Sequence, residues 1–214
     1  MYEIVTGPLV WLAFAVFLGG SIYRIASMII KAKKDKVVYP YFDFVRGLRS
    51  LWHWLIPFNS VNMRRNPLFT VLSFSFHAGL IVTPIFLLAH QLLWKQAFGF
   101  ALPALPEKLG DFFTLVVLVA GAFLILRRIS APEVRNVTDW KDYAVIAIVL
   151  APFVTGFISY HQWFAHETML IAHAIAGCVW LMVIPFTRLT HILYFVFTRM
   201  YMGSEFGFRN AKDW

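Results

Sequence analysis

Five apolar stretches, each long enough to cross the hydrocarbon core of a bilayer, recur along the chain with the basic residues gathered between them. They lie at about 8–30, 67–94, 109–126, 143–160 and 168–190. Hydrocarbon offers no hydrogen-bond partners, so a segment crossing it has to satisfy its own backbone, which favours helices over open strands. The expected fold is an all-α integral membrane protein, a five-helix transmembrane bundle over residues 1–200. Composition agrees: of the 214 residues 60% are hydrophobic and 14% are charged, against roughly 25% charged in a soluble domain. The first apolar run has no basic region ahead of it and no obvious small-residue cleavage site. It reads as a retained span, not a secretory signal.

The basic residues give a direction. Lys31, Lys33, Lys34, Lys36, Arg46, Arg49, Arg64 and Arg65 follow the first span. Arg127, Arg128, Arg135 and Lys141 follow the third, and Arg188, Arg199, Arg209 and Lys212 the fifth. Only Lys95 and Lys108 lie on the opposite side. The positive-inside rule puts the N-terminus outside and the C-terminus in the cytoplasm, as an odd number of spans requires. Topology thus accounts for the formal charge of +8, and no nucleic-acid partner is expected. Residues 39–66 combine Trp52, Trp54, Leu55 and Ile56 with Arg46, Arg49 and Arg64. That pattern fits a cytoplasmic docking segment or a linker lying on the lipid surface. The tail, 198–214, adds Tyr201, Phe206, Phe208 and Trp214 as apolar anchors. Both segments are expected to receive a cytoplasmic partner, with contact to lipid headgroups as the alternative.

The chemical signal is histidine within the apolar stretches, where polar side chains are costly and usually paired or ligating. His77 and His90 lie in the second span, and His173 and His191 in the antiparallel fifth. Opposed directions match them by depth: an inner pair, His77 with His191, and an outer pair, His90 with His173. A haem iron leaves two axial positions to the protein, and two imidazoles from opposite helices can fill them. The step from His173 to His191 is 18 residues, five whole turns of one helix, which predicts that both point from one face, roughly 27 Å apart. His77 to His90 is 13 residues, roughly 20 Å and not a whole number of turns. Pro84, with Thr83 beside it, is placed to kink the span between them. Gly79, Ala174, Ala176 and Gly177 leave room for a flat ring or for close helix packing.

Other metal chemistry fits less well. Zinc wants about four ligands around one ion, and the histidines are spread too far along the helices. The apolar cores hold no carboxylates for a di-iron centre. The lone cysteine, Cys178, excludes an internal disulfide and a CxxC motif. At the outer end, "SYHQWFAHETM" carries His161, His166 and Glu167, with Tyr160, Gln162 and Trp163 nearby. Imidazole or carboxylate there is suited to take protons from a quinol, and the same residues also suit helix capping and interfacial anchoring.

Five spans, an outside N-terminus, histidines in spans two and five and the 18-residue step from His173 to His191 together resemble the nitrate reductase gamma subunit family of membrane cytochromes b. That family includes the cytochrome b partners of heterodisulfide-reductase-like respiratory complexes. The resemblance covers roughly residues 1–200. It implies two haem b groups, the inner held by His77 and His191 and the outer by His90 and His173, and a menaquinone-like quinone near the outer face. It also implies a cytoplasmic iron-sulfur partner of heterodisulfide-reductase-like or nitrate-reductase-like type, and residence in the prokaryotic cell (inner) membrane. A periplasmic multihaem cytochrome c is the alternative electron donor. A non-redox membrane anchor or a transporter subunit is the alternative outside redox chemistry.

Overall fold

The computed structural model describes residues 2–34, 42–209 and 211, and among these it is helical without strands. In chain order the helices are α1 Tyr2–Thr6, α2 Pro8–Lys34, α3 Phe44–Leu55, α4 Val61–Arg65, α5 Pro67–Phe86 and α6 Leu88–Phe98. They continue with α7 Glu107–Ser130, α8 Pro132–Arg135, α9 Trp140–Tyr160, α10 His166–Val183 and α11 His191–Phe208. Five segments are long and apolar enough to cross a membrane: Tyr2–Lys34, Pro67–Phe86, Glu107–Ser130, Trp140–Tyr160 and His166–Phe186. Each coincides with an apolar stretch of the sequence, so the chain has the makings of a multi-pass membrane protein. Trp11, Leu12, Leu18 and Ile22 of α2 stand more than half exposed, as side chains facing lipid do.

The chain divides into two compact units, one of residues 71–177 and one of residues 3–70 with the chain from Cys178 onward. Within the first unit, small residues set the helix contacts. A Cβ on Gly121 would lie 2.5 Å from Leu150 Cδ2, and one on Gly79 would lie 2.5 Å from Val117 Cγ2. Gly79 therefore serves close packing of α5 on α7. At the loop joining α7 to α9, Asp139 caps α9 in a reciprocal box with Asp142. The buried Asp142 carboxylate also lies 3.8 Å from the Arg128 guanidinium, which donates to Thr138 Oγ1 as well.

In the other unit, the segment read as interfacial contains α3 and α4, and its first residues, 39–41, lie outside the described ones. The Asp43 side chain caps α3 by accepting from the Arg46 N–H at 2.9 Å. That N–H, with the Arg46 guanidinium at 2.8 Å, holds the Asp43 carboxyl below its ordinary range. Asp43 N–H in turn donates to Ser204 Oγ of α11 at 2.7 Å. The two helices meet backbone to backbone. A Cβ on Gly47 would lie 2.8 Å from the Met200 carbonyl, and one on Gly203 would press on Ser50 Cβ and lie 2.7 Å from the Arg46 carbonyl. The Arg199 guanidinium sits 4.1 Å over the Trp54 ring. Both regions expected to dock a partner are thus joined through α3 and α11. Residues 210 and 212–214 of the tail lie outside the described residues.

Gly203→Leu should separate this pair, because overpacking a contact with no slack costs about 1–3 kcal/mol or more. Faster tryptic cleavage at Arg46 and Arg49 is the expected readout. Cleavage at the wild-type rate would mean that α3 is not held by α11.

Two of the expected spans are not single helices. The second stops at Phe86 and restarts at Leu88, with Leu87 extended at ψ 136. The fifth ends at Val183, passes through two 3-10 turns, Ile184–Phe186 and Arg188–Thr190, and becomes α11 at His191. Pro185 supplies no N–H, and Thr187 between the turns is extended at φ −121 and ψ −172. The count of five whole turns from His173 to His191 assumed an unbroken helix and does not hold. Neither the shared face nor the rise of roughly 27 Å carries over.

Candidate functional site

The break at Leu87 frees the carbonyls of the last turn of α5, and each of the three takes a new donor. His90 Nδ1–H donates to the Pro84 carbonyl at 2.8 Å. The Gln91 amide donates to the Ile85 carbonyl. Leu105 N–H donates to the Phe86 carbonyl at 2.8 Å. Gln91 is buried, and its Oε1 accepts from Leu102 N–H at 2.5 Å, tying the break to the loop before α7. Buried backbone groups left unpaired would be costly, so this set of bonds is what makes the break tolerable. It replaces the simple proline kink expected of Pro84 and sets the direction of His90.

His173 comes to the same place from α10. Its Nδ1–H donates to the Pro152 carbonyl of α9 at 2.8 Å. Gly156, one turn beyond Pro152, makes that approach feasible, since a Cβ there would lie 2.9 Å from both Cε1 and Nδ1 of His173. The His90 and His173 rings are nearly parallel, 10° apart, with centroids 5.9 Å from each other. The outer pair expected from the sequence is therefore brought together inside one unit.

A carbonyl only accepts, so both rings carry their proton on Nδ1. A neutral imidazole in that tautomer presents Nε2 as a lone pair, the form in which histidine binds a metal while its other nitrogen is held by the protein. With ring centroids 5.9 Å apart, the two imidazoles are near enough that both could serve one metal ion. Among the described residues no three His, Cys, Asp or Glu side chains converge as a metal group. A pair of imidazoles is the number of protein ligands that a haem iron can take. The residues present fit that group.

His77 and His191 fall in different units. Each shows the same engagement of Nδ1: His77 with the Ser73 carbonyl at 2.7 Å, and His191 with the Arg188 carbonyl at 2.8 Å. The His77 ring also stands edge-on to Phe76 at 5.7 Å. All four histidines read as ligands thus hold Nδ1 on a main-chain carbonyl.

The residues read as a quinol and proton site engage different partners. His166 turns back on α9, with Nδ1 3.1 Å from the Ser159 carbonyl. His161 caps α9 and faces α7, its Nε2 3.4 Å from Asp111 Oδ2. Around it stand Phe157 at 4.3 Å, Tyr160 at 5.1 Å and Trp163 at 5.8 Å between ring centroids. Glu107 of α7 lies near Tyr160. Glu167 opens the first turn of α10.

No family model matches the chain, and no solved structure matches it. A protein of Nitratidesulfovibrio vulgaris (strain Hildenborough) is 37% identical over 216 residues, covering 99% of this chain and 96% of that one. The chain belongs to that protein's family. The likeness runs from end to end, so the five apolar segments, the α3 region and the tail all fall within it.

Three residues of the site were not singled out for it in the sequence. Gln91 lies beside a candidate ligand, but its bonds to Ile85 and Leu102 depend on a break that hydropathy does not show. Gly156 reads in sequence as a bend in span four, and its role is to admit His173. Asp111 reads as the start of a span, and only the adjacency of α7 and α9 places it against His161. A carboxylate at the very start of an apolar stretch was the available signal.

Proposed function

We propose that the protein is a dihaem b-type membrane subunit of a respiratory complex. It transfers electrons between a menaquinone-like quinone near the outer face and a cytoplasmic iron-sulfur subunit. The observation that carries this reading is the outer pair: two parallel imidazoles from α6 and α10, each with Nδ1 on a backbone carbonyl and Nε2 left for an iron. The second haem of the proposal rests on the sequence reading of His77 and His191. When bound, haem supplies reversible one-electron chemistry. The chain supplies the ligands, their orientation and an apolar surround.

The distribution of Lys and Arg supports an N-terminus outside and a C-terminus in the cytoplasm, and with it residence in a prokaryotic cell membrane. The joined α3 and α11 would present the cytoplasmic docking surface. With a single cysteine the chain cannot build an iron-sulfur cluster of its own, so an electron leaving on that side needs a partner.

The test is purification of the intact complex, with subunit identification and haem quantification as the pyridine haemochrome. About two non-covalent haems per chain are expected, one for each histidine pair. A value near zero sinks the proposal. A value near one keeps electron transfer and removes one of the two pairs.

A further inference from the structure

We propose that Asp111 and His161 form a carboxylate–imidazole dyad that takes the protons of a dihydroxyaromatic headgroup at the outer ends of α7 and α9. This rests on the quinol reading above and adds to it the acceptor and its geometry. His161 Nε2 lies 3.4 Å from Asp111 Oδ2, within ion-pair distance, so the carboxylate stands beside the ring that would take the proton. A carboxylate behind an imidazole fixes its orientation and stabilises the imidazolium that forms on proton uptake. His161 Nδ1 makes no hydrogen bond among the described residues, and the side chain is 31% exposed, open to a ligand.

The surroundings suit a planar ring. Phe157 and Trp163 lie near the imidazole and meet each other edge to face at 5.4 Å. The chain holds this arrangement with a backbone conformation uncommon for its residue type. Gln162 has φ +54, and Trp163 N–H returns to the Ile158 carbonyl at 3.3 Å. Non-glycine residues in the left-handed region cost of order 1 kcal/mol or more and concentrate at functional sites. The titratable groups facing His161 are Asp111 from α7 and Tyr160 from α9, and Tyr160 is backed by Glu107.

The chemistry balances with a one-electron oxidant of the haem-iron class. For each electron the hydroquinone gives up to an acceptor of that class, one O–H bond would break and its proton would pass to the His161 imidazole and then to water. Two rounds convert the hydroquinone to the quinone. Imidazole suits this cycle because it gains and loses a proton near neutral pH.

The experiment uses the purified complex with a short-chain naphthoquinol and the matching naphthoquinone. Asp111→Asn and His161→Gln should each slow haem reduction by the quinol at least tenfold at neutral pH and flatten its pH profile. Reduction by dithionite should stay unchanged, and naphthoquinone quenching of tryptophan fluorescence should stay within about twofold of wild type, the range of a lost surface contact. Wild-type rates with a wild-type pH profile in both variants would overturn the dyad and leave the quinol reading standing. Equal slowing with dithionite would mean damage to haem binding and would also overturn it. A wild-type complex that neither binds the quinone nor accepts electrons from the quinol would remove the quinol reading and the dyad together.

Discussion

His173→Ala should leave one haem per chain where the wild type binds two. The substitution removes the Nε2 that α10 presents and frees the Pro152 carbonyl, which His173 now engages at 2.8 Å. His90 alone then offers one axial nitrogen from a ring still held by Pro84. His90→Ala should give the same loss, and the double variant should lose nothing further, because both ligands serve one iron. This non-additivity is the signature of residues acting as a unit. His173→Met should retain both haems with the outer potential raised, since a thioether ligand shifts a haem in that direction. His191→Ala should remove the other haem and leave the outer spectrum in place. Haemochrome counts and redox titration of each variant provide the readout. Two haems retained in His173→Ala, or a further loss in the double variant, would show that these imidazoles do not share an iron.

What the chain spells out in sequence is the set of elements whose cause is local. Each apolar stretch became a membrane-length helix because hydrocarbon-compatible length and backbone self-satisfaction are properties of the segment alone. The mixed apolar and basic character of the α3 region was legible for the same reason. The breaks were not, because their cause is tertiary. Pro84 marks a weak point, yet the interruption falls at Leu87, where His90, Gln91 and Leu105 supply replacement donors. Pro185 and Thr187 likewise end the run that sequence counting carried from His173 to His191. The outer histidine pair survived this error since its match depends on depth and opposed direction. The Asp111–His161 contact joins residues fifty positions apart in sequence and needed the packing of α7 on α9 to be seen.

Gly156→Val should abolish the outer haem site without touching a ligand, and it separates the role of this glycine from a simple bend in α9. Even one methyl group at residue 156 would lie 2.9 Å from Cε1 and Nδ1 of His173. Ordinary carbon contact begins near about 3.5 Å, so the ring has to retreat by about half an ångström or more. The Pro152 carbonyl that orients the ring sits on the same helix, one turn away. Moving the ring away from residue 156, or α9 away from α10, therefore stretches the 2.8 Å hydrogen bond in either case. A hydrogen bond near its length limit no longer fixes ring direction or tautomer, and His173 loses its register with His90. Overpacking of this kind costs about 1–3 kcal/mol, which a five-span protein should withstand while still folding. The expected result is one haem per chain, an unchanged inner spectrum and wild-type helical content by circular dichroism. Gly156→Ala should fall between, with the outer haem bound but its potential shifted. An intact outer spectrum in Gly156→Val would show that His173 does not depend on this contact, and the ring orientation would then need another source.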